Sequence, residues 1–318
     1  MRFISVFKVL FSALSCVLLT QCGTIENLHE PQLSSAHYRS FDGREFPYQK
    51  WDAKANKPDA KRVVIALHGY NGYPGDFEWL ATKLNADGCV LYAPATRGQG
   101  FDPLEKCRGD IGRSQQWVSD LRAMTQLLRA KYPNSELVWL GESMGGLIAL
   151  NSISENQNHS CDKLIIAAPI FGVENQITAP QKTLFGIAST LFPSMRFSLA
   201  GLTGQNDTQM THQSKHEEQV IKNDWHVERQ TLRLYKNIGL LIQNAPAQLA
   251  QLQVPLLTLR GSKDSLSNKA SLNSALGFLP KSTPYQHIEY ENSHHLLFYD
   301  QEKEKVAEDF INWLRISP

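Results

Sequence analysis

The fold of this chain is decided by one stretch: Leu137-Val138-Trp139-Leu140-Gly141-Glu142-Ser143-Met144-Gly145-Gly146-Leu147-Ile148-Ala149-Leu150. Its first four residues predict a buried strand, and its last five predict a helix. Between them Ser143 occupies a sharp, strained turn, so the residues two before and two after it must lack bulk to let strand and helix pass closely. Gly141 and Gly145 meet that need. Strand, turn and helix together predict that Ser143 is a nucleophile.

Short apolar runs on both sides of this stretch alternate with helical patterns. The runs are Val63–Leu67, Cys89–Tyr92, Leu164–Ala168, Leu256–Leu259 and the strand-like Tyr285–Tyr290. Their length and aliphatic composition are typical of strands that are buried on both faces. The segment from Trp117 to Tyr132 carries its apolar residues at helical spacing. The alternation predicts an α/β fold in which helices flank a mostly parallel sheet.

The alternation stops between residues 171 and 248, which contain Pro180, Pro193 and amphipathic pieces but no evident strand pattern. An insertion of this size between two core strands predicts a helical cap over the carboxyl edge of the sheet, where ligands bind in open α/β folds. We therefore assign residues 38–170 and 249–318 to the core and residues 171–248 to the cap.

The first long strand runs into His68-Gly69-Tyr70-Asn71-Gly72. Acyl transfer develops an oxyanion on the carbonyl oxygen, and preorganised N–H donors stabilise it. We expect these donors to be the backbone N–H groups of Tyr70 and Met144. A histidine at this strand end more often orders the loop than acts as a base, so we expect His68 to be structural.

A serine hydroxyl becomes a good nucleophile when a base removes its proton and an acid orients that base. Two segments downstream of Ser143 supply candidates, and each follows a strand. The acid candidate is Asp264, in Arg260-Gly261-Ser262-Lys263-Asp264, and the base is either His294 or His295, in Glu291-Asn292-Ser293-His294-His295. Their order along the chain, nucleophile, acid, base, is the order that this type of fold requires.

These motifs together resemble the monoacylglycerol lipase and lysophospholipase group of the α/β-hydrolases, which is related to the serine aminopeptidases. The resemblance covers residues 38 to 316 and is strongest around Ser143. It implies an α/β-hydrolase fold, with Asp264 as the acid and His295 rather than His294 as the base. Glu291 and Asp300 are the alternative carboxylates and are less well placed.

The resemblance implies hydrolysis of a carboxylic ester through an acyl-enzyme, without a cofactor. Apolar cap segments, Leu184-Phe185 and Ile187 to Phe192, together with an export signal favour a lipid substrate, either a monoacylglycerol or a lysophospholipid. One alternative is a serine peptidase or aminopeptidase, which would share the three catalytic residues. The other is a lipoprotein of the same fold without catalytic activity.

Two departures from the family pattern affect loops rather than catalytic groups. The family usually has an aspartate before its Arg-Gly-x-Gly turn, which the stretch Ala95-Thr96-Arg97-Gly98-Gln99-Gly100 lacks. In the cap, Asp224-Trp225 stands where the family often has Asp-Pro. Substrate contacts of the cap therefore carry over poorly from the resemblance.

The amino terminus predicts export. Arg2 and Lys8 precede an apolar run from Val9 to Leu19, which is too short to span a bilayer about 30 Å thick. It ends in Leu19-Thr20-Gln21-Cys22-Gly23, which resembles the bacterial lipobox, although Gln21 replaces the usual small residue. We expect residues 1–21 to be a signal peptide, Cys22 to carry a lipid anchor facing the periplasm or cell surface, and residues 22–37 to be a tether. Cys16 is the poorer candidate because apolar residues follow it.

Composition and scattered polar residues exclude several other functions. A formal net charge of +1 provides no basic field for nucleic acid. His212 and His216 have a spacing that can hold a metal, and His226 is nearby, but no glutamate completes a zinc motif, so no metal site is expected. The remaining thiols, Cys89, Cys107 and Cys161, allow at most one disulfide among them, or none. The sequence does not indicate an oligomeric state.

Overall fold

The apolar runs form the strands of a central sheet in the computed structural model of this protein. The structure describes residues 29–53, 60–172, 179–199, 208–215 and 224–316. Its strands are β1 (Gln32–Leu33), β2 (His37–Arg39), β3 (Glu45–Trp51), β4 (Arg62–Leu67), β5 (Cys89–Pro94), β6 (Glu136–Glu142), β7 (Lys163–Ala167), β8 (Arg196–Phe197), β9 (Gln209–Thr211), β10 (Ser214–Lys215), β11 (Gln230–Thr231), β12 (Leu256–Gly261) and β13 (Tyr285–Tyr290). The α-helices are α1 (Glu78–Ala86), α2 (Ser114–Lys131), α3 (Met144–Asn151), α4 (Ala179–Leu191), α5 (Leu232–Ala250), α6 (Lys269–Leu276) and α7 (Lys303–Ile316), and short 3-10 helices cover Pro74–Phe77, Glu105–Cys107 and Gln157–His159.

The central sheet is mostly parallel, as predicted. Nine strands form it in the order β1-β2-β3-β5-β4-β6-β7-β12-β13. From β5 to β13 each neighbouring pair is parallel, whereas β1, β2 and β3 join it antiparallel. Because parallel strands end at the same edge, the residues that follow β4, β6, β12 and β13 meet at the carboxyl edge of the sheet.

Alternate side chains of the buried strands face two apolar cores, one on each side of the sheet. In β4, Ile65 and Leu67 pack into one core and Val64 and Ala66 into the other. The first core also contains apolar side chains of α2, α3, α5 and α6, and the second contains those of α1 and α7. Burying each large aliphatic side chain contributes about 1.5–3 kcal/mol, which explains why these strands have no polar face. The predicted layering, with helices on both sides of the sheet, is confirmed.

The insertion predicted as a helical cap is of mixed structure. Between residues 171 and 248 the structure describes 171–172, 179–199, 208–215 and 224–248. There α4 is followed by short strands, with β8 antiparallel to β11 and β9 antiparallel to β10. The expectation of a purely helical insertion is therefore corrected. The sequence did not indicate these strands because two or three residues are too few to produce an alternating pattern.

The last helix assigned to the insertion, α5, belongs to the core. Its buried side chains lie on one helical face and join the core beside α3; they are Leu234, Leu241, Ala245 and Leu249. At the end of α3, Asn151 Nδ2 also donates a hydrogen bond to the Leu241 carbonyl oxygen at 3.1 Å. The core therefore resumes at Leu232, where α5 begins, rather than at residue 249.

From His29 onward, the segment predicted as a tether is attached to the sheet and its neighbouring turn. Within residues 22–37, β1 pairs antiparallel with β2, and the His29 N–H donates to the Phe41 carbonyl oxygen at 2.9 Å. A strand of two residues leaves no pattern that distinguishes it from a linker. The predicted signal peptide and Cys22 lie outside the described residues. In the part of the chain that the structure covers, no helix has the length and apolar character needed to cross a membrane.

The three cysteines left open by the sequence are free thiols. Cys89 and Cys161 are buried and Cys107 is half-buried. Burial raises the pKa of the Cys89 thiol to about 11 and that of Cys161 further. Both therefore behave as small apolar core residues rather than as reactive thiols.

A buried arginine holds the loop after β5, where the family's usual aspartate is missing. Arg97 is 3% exposed. Its guanidinium bonds Asp120 at 2.7 and 2.8 Å and Asp42 at 2.6 and 3.1 Å. Two carboxylates thus compensate the buried charge, because each meets it in the bidentate geometry that suits arginine. The turn around Asp42 and the loop after β5 are joined at the carboxyl edge of the sheet.

Candidate active site

The turn between β6 and α3 holds Ser143 in a strained conformation. Its backbone has φ 54° and ψ −115°, a region that non-glycine residues seldom adopt. A methyl group on Gly141 would lie 2.4 Å from the Gly146 backbone, and one on Gly145 would lie 2.1 Å from the Leu67 carbonyl oxygen. Only glycine therefore fits at these two positions. The Ser143 N–H donates to Ala167 of β7 at 2.9 Å, which fixes the turn to the sheet.

Three predicted side chains form one chain of hydrogen bonds at the carboxyl edge. The Ser143 hydroxyl donates to His295 Nε2 at 2.9 Å. His295 Nδ1 donates to Asp264 Oδ2 at 2.8 Å. Asp264 follows β12 and His295 follows β13, so the parallel sheet brings together residues that are far apart in sequence. All three are at most 5% exposed. The arrangement can move a proton from serine to imidazole while a carboxylate orients the ring.

The charge states of this group follow from its contacts. Burial alone would raise the pKa of Asp264, but the charge and hydrogen bond of His295 lower it below its ordinary value. The N–H groups of Leu266 and Ser267 reinforce this by donating to Asp264 Oδ1 at 2.8 and 2.9 Å. Burial opposes protonation of His295, yet Asp264 raises its pKa above the ordinary value. An ionised Asp264 therefore stabilises the imidazolium that proton transfer creates.

The alternatives to these assignments lie elsewhere. His294 Nδ1 donates to Asp300 Oδ2 at 2.9 Å, so this histidine pairs with a different carboxylate. Glu291 is exposed. Of the two neighbouring histidines, the structure brings His295 to Ser143, and of the three carboxylates it brings Asp264 to His295.

The predicted oxyanion donors flank Ser143. Met144 begins α3 directly after it. A methyl group on Gly69 would lie 3.2 Å from Ser143 Cβ, so the loop that carries the Tyr70 N–H passes close to the serine. Among the described residues, no acceptor takes a hydrogen bond from either N–H. That these two N–H groups bind an oxyanion stays a prediction.

The Tyr70 side chain joins the loop after β4 to β11 and α5. Its hydroxyl lies 2.8 Å from the Tyr235 hydroxyl of α5 and donates to Gln230 Oε1 of β11. Gln230 Nε2 in turn donates to Asn71 Oδ1 at 2.9 Å. Sequence reasoning missed this network because its members lie 160 residues apart and belong to no motif.

His68 orders the loop, as predicted. It is fully buried. Its Nδ1 donates to the Gly69 carbonyl oxygen at 2.9 Å, and its Nε2 accepts from the Thr96 N–H at 3.3 Å. Burial lowers the pKa of His68 to about 4, so the ring is neutral at neutral pH. Its two nitrogens join the loop after β4 to the loop after β5.

Glu142 is a second buried carboxyl beside the site that sequence reasoning did not single out. It is 2% exposed, and its Oε1 has no hydrogen-bond partner among the described residues. Burial and the nearby Asp76 raise the pKa of Glu142 to about 8. It is therefore mainly protonated at neutral pH. The available signal was an acidic residue directly after the apolar run Leu137–Gly141.

The histidines considered for a metal site do not form one in the covered part of the chain. His212 and His226 are described, and His216 lies outside the described residues. Over those described ranges, no three histidine, cysteine, aspartate or glutamate side chains are grouped as metal ligands.

The chain is similar in sequence to two known lipolytic enzymes. Phospholipase YtpA of Bacillus subtilis is 26% identical over 263 residues, which cover 80% of this chain and 95% of that protein. Human monoglyceride lipase is 23% identical over 84% of this chain and 85% of its own length.

Solved structures show the same fold at low sequence identity. A soluble variant of monoglyceride lipase from Saccharomyces cerevisiae, in complex with a substrate analog, superposes with a TM-score of 0.73 at 16% identity, over 92% of this chain and 96% of that one. Monoacylglycerol lipase of Paleococcus ferrophilus gives a TM-score of 0.69 at 17% identity, over 85% and 98% of the two chains. The fold is therefore that of the α/β-hydrolases.

The model of one protein family covers most of the sequence. It is described as "Serine aminopeptidase, S33" and matches residues 58–302, which include Ser143, Asp264 and His295. The chain belongs to this family of α/β-hydrolases.

Proposed function

We propose that this protein is a serine hydrolase that cleaves the carboxylic ester of a lipid with one acyl chain, a monoacylglycerol or a lysophospholipid. The observation that carries the proposal is the chain of hydrogen bonds from Ser143 through His295 to Asp264. Lipases and esterases among the relatives support the coarser assignment, a carboxylic ester hydrolase.

Acylation would begin when Ser143 Oγ attacks the ester carbonyl carbon. The hydroxyl proton passes to His295 Nε2, and Asp264 stabilises the resulting imidazolium. The carbonyl oxygen becomes an oxyanion that accepts hydrogen bonds from the Tyr70 and Met144 N–H groups. In comparable sites one such donor contributes about 2.7–4 kcal/mol to transition-state stabilisation. His295 then gives its proton to the alcohol oxygen, and the alcohol leaves.

Deacylation repeats these steps with water. His295 takes a proton from a water molecule, which attacks the acyl carbon on Ser143, and the same N–H groups hold the second oxyanion. The carboxylic acid leaves as His295 returns the proton to Ser143. His295 carries each transferred proton in the cycle, so the proposed reaction needs no cofactor.

The lipid class of the substrate is supported by the surface of the insertion. Leu184, Ile187 and Leu191 lie on one face of α4 and are 67%, 53% and 65% exposed. Phe192 and Met195 extend this apolar strip and are 58% and 50% exposed. Exposed apolar side chains in this number are typical of a surface that meets apolar ligands or lipid. The names of the relatives, phospholipase and monoglyceride lipase, favour the same substrates.

A hydrolysis panel tests the proposal. Monoacylglycerols, lysophospholipids, short p-nitrophenyl esters and aminoacyl anilides are offered to the wild type, to Ser143→Ala and to the matched control Ser154→Ala, a serine outside the site. We expect the wild type and the control to cleave single-chain lipid esters fastest, and Ser143→Ala to lose activity on the order of 10⁶-fold. Faster cleavage of the anilides would favour the peptidase alternative. A folded wild type without activity on any substrate would contradict the proposal.

We also propose that the protein is exported and anchored through a lipid on Cys22, facing the periplasm or the cell surface. The apolar run from Val9 to Leu19 and the lipobox-like stretch Leu19-Thr20-Gln21-Cys22 support this proposal. His29 bonds Phe41, beside the Asp42 turn that contacts Arg97 at the carboxyl edge. A tether that ends there would hold the active site close to the membrane.

Mass spectrometry of the mature amino terminus tests the anchor. In a bacterial host we expect an acylated Cys22 and release of the protein from membranes by Cys22→Ser, whereas the control Cys16→Ser stays membrane-bound. A mature terminus that lacks acylation at Cys22 would contradict the anchor without affecting the proposed chemistry.

A further inference from the structure

Asp300 is a buried carboxylate between the loop that carries His295 and the insertion. It is 2% exposed. Its Oδ2 accepts from the backbone N–H and the Nδ1 of His294 at 2.7 and 2.9 Å. Its Oδ1 accepts from the N–H groups of His212 and Gln301 at 2.7 and 2.9 Å. One side chain thus joins two segments that are about 80 residues apart in sequence.

The segment on the far side is a hairpin formed by residues 209–215, which we call the cap hairpin. Thr211 Oγ1 accepts from the N–H groups of Gln213 and Ser214 at 3.2 and 3.1 Å, which fixes its turn. The hairpin also bonds the histidine loop directly, because the Leu296 N–H donates to the Met210 carbonyl oxygen at 3.0 Å.

Both sequence neighbours of His295 are therefore fastened to the cap hairpin. His294 is held through Asp300, and Leu296 is held through Met210. His295 lies between these two attachments, which hold its main chain in place. The ring can then keep its hydrogen bonds to Ser143 and Asp264. A displacement of the hairpin would move the main chain on either side of the ring.

Asp300 provides the stronger of the two attachments because its carboxylate accepts four hydrogen bonds, all from N–H groups, whereas Met210 accepts one. Burial would raise the pKa of Asp300, but the N–H groups of His212 and His294 lower it below its ordinary value, which keeps the carboxylate ionised. An asparagine at this position has one acceptor oxygen and one NH₂ donor. It would leave one pair of these N–H groups facing a donor.

We infer that Asp300 is a positioning residue that couples the cap hairpin to His295 and thereby sets the distance from the imidazole to Ser143. The inference rests on the proposed function, in which His295 is the base. It also links the insertion, where the proposed function places the lipid, to the group that moves the proton.

The test compares Asp300→Asn with Asp162→Asn. Asp162 is the control because it too accepts from a backbone N–H, that of Leu137 at 2.7 Å, and from a side chain, that of Arg129, at 2.8 Å. It lies away from the histidine loop. The readouts are ester turnover per folded molecule and the far-downfield NMR resonance of the His295 Nδ1 proton, which reports its hydrogen bond to Asp264. A merely structural role would not move the second readout.

We expect Asp300→Asn to lower kcat by about 100-fold, the usual effect of a misplacement near 1 Å, with a smaller change in KM. The resonance of the His295 proton should shift or broaden, while Asp162→Asn keeps both kcat and the resonance. An Asp300→Asn protein with unchanged kcat and an unchanged resonance would overturn the inference.

Thr211→Val provides a second arm should Asp300→Asn fail to fold. It removes the turn bonds of the cap hairpin without touching the histidine loop, so a smaller shift of the same resonance and a partial loss of kcat are expected. No shift in Thr211→Val would then overturn the coupling. The resonance needs no substrate, so failure of the inference can be told apart from failure of the proposed function.

Discussion

Replacement of Gly145 by alanine tests the turn on which the architecture depends. An added methyl group would lie 2.1 Å from the Leu67 carbonyl oxygen, 2.7 Å from its carbon and 2.9 Å from the His68 carbonyl oxygen. The shortest contact is more than 1 Å below the 3.4 Å of an ordinary contact. All three atoms are backbone, so β4 and α3 must separate to relieve the clash.

The expected cost is large compared with the stability of a domain. Overpacking of a core by one methyl group usually costs about 1–3 kcal/mol. Because no side chain can rotate away here, we expect Gly145→Ala to lower the free energy of unfolding by about 3 kcal/mol or more, out of a typical total of about 5–15 kcal/mol. The displaced α3 would also carry Ser143 and the Met144 N–H out of place, so ester turnover should fall in the fraction that remains folded.

Gly239→Ala is the matched control. Gly239 lies inside α5, and a methyl group there has no heavy atom within 4 Å. Alanine is favoured over glycine in a helix by about 0.5–1 kcal/mol, so this variant should be slightly more stable than the wild type. Denaturant unfolding of the three proteins measures both effects. A Gly145→Ala protein within 1 kcal/mol of the wild type, an outcome far below the overpacking range, would refute the reasoning about the turn.

Three further predictions concern charge. The plot of kcat/KM against pH should rise with an apparent pKa above 6.5, because only the neutral His295 ring accepts a proton. Asp264 raises the pKa of this ring despite its burial. A midpoint below 6.5 would contradict the prediction. Asp264→Asn should lower kcat on the order of 10⁴-fold while circular dichroism stays unchanged, and near-normal turnover would exclude Asp264 as the acid. Glu142→Gln should make stability less dependent on pH. Because the pKa of Glu142 is raised in the folded protein, its contribution to the free energy of unfolding is complete below the ordinary pKa of 4.5 and is lost as pH rises to about 8. The loss amounts to about 1.4 kcal/mol per pH unit. Equal slopes of the unfolding free energy against pH for the variant and the wild type would contradict a buried, protonated Glu142.

Much of the core could be predicted because its strands are buried on both faces. Each such strand appears in the sequence as an unbroken aliphatic run, and the turn at Ser143 leaves a glycine on either side. Asp264 and His295 could be placed from their positions after strands, because parallel strands bring their carboxyl ends to one edge.

The rest depends on contacts that leave no local pattern. Strands of two residues in the insertion and before β2 have too few side chains to alternate. The face of α5 that contains Leu234 and Leu241 predicts an apolar partner but not whether that partner is core or cap. The sequence indicates Asp300 only as an alternative acid, because its bonds to the backbone N–H groups of His294 and His212 leave no local pattern.

The central claim is that Ser143 is the nucleophile. Treating the folded protein with a fluorophosphonate and locating the adduct by peptide mass spectrometry tests it most directly, since the reagent reacts with a serine whose proton a base can take. We predict one adduct on the peptide that contains Ser143, slow formation in Asp264→Asn and none on that peptide in Ser143→Ala. A folded wild-type protein that gains no adduct, or that gains one only on another residue, would contradict the account.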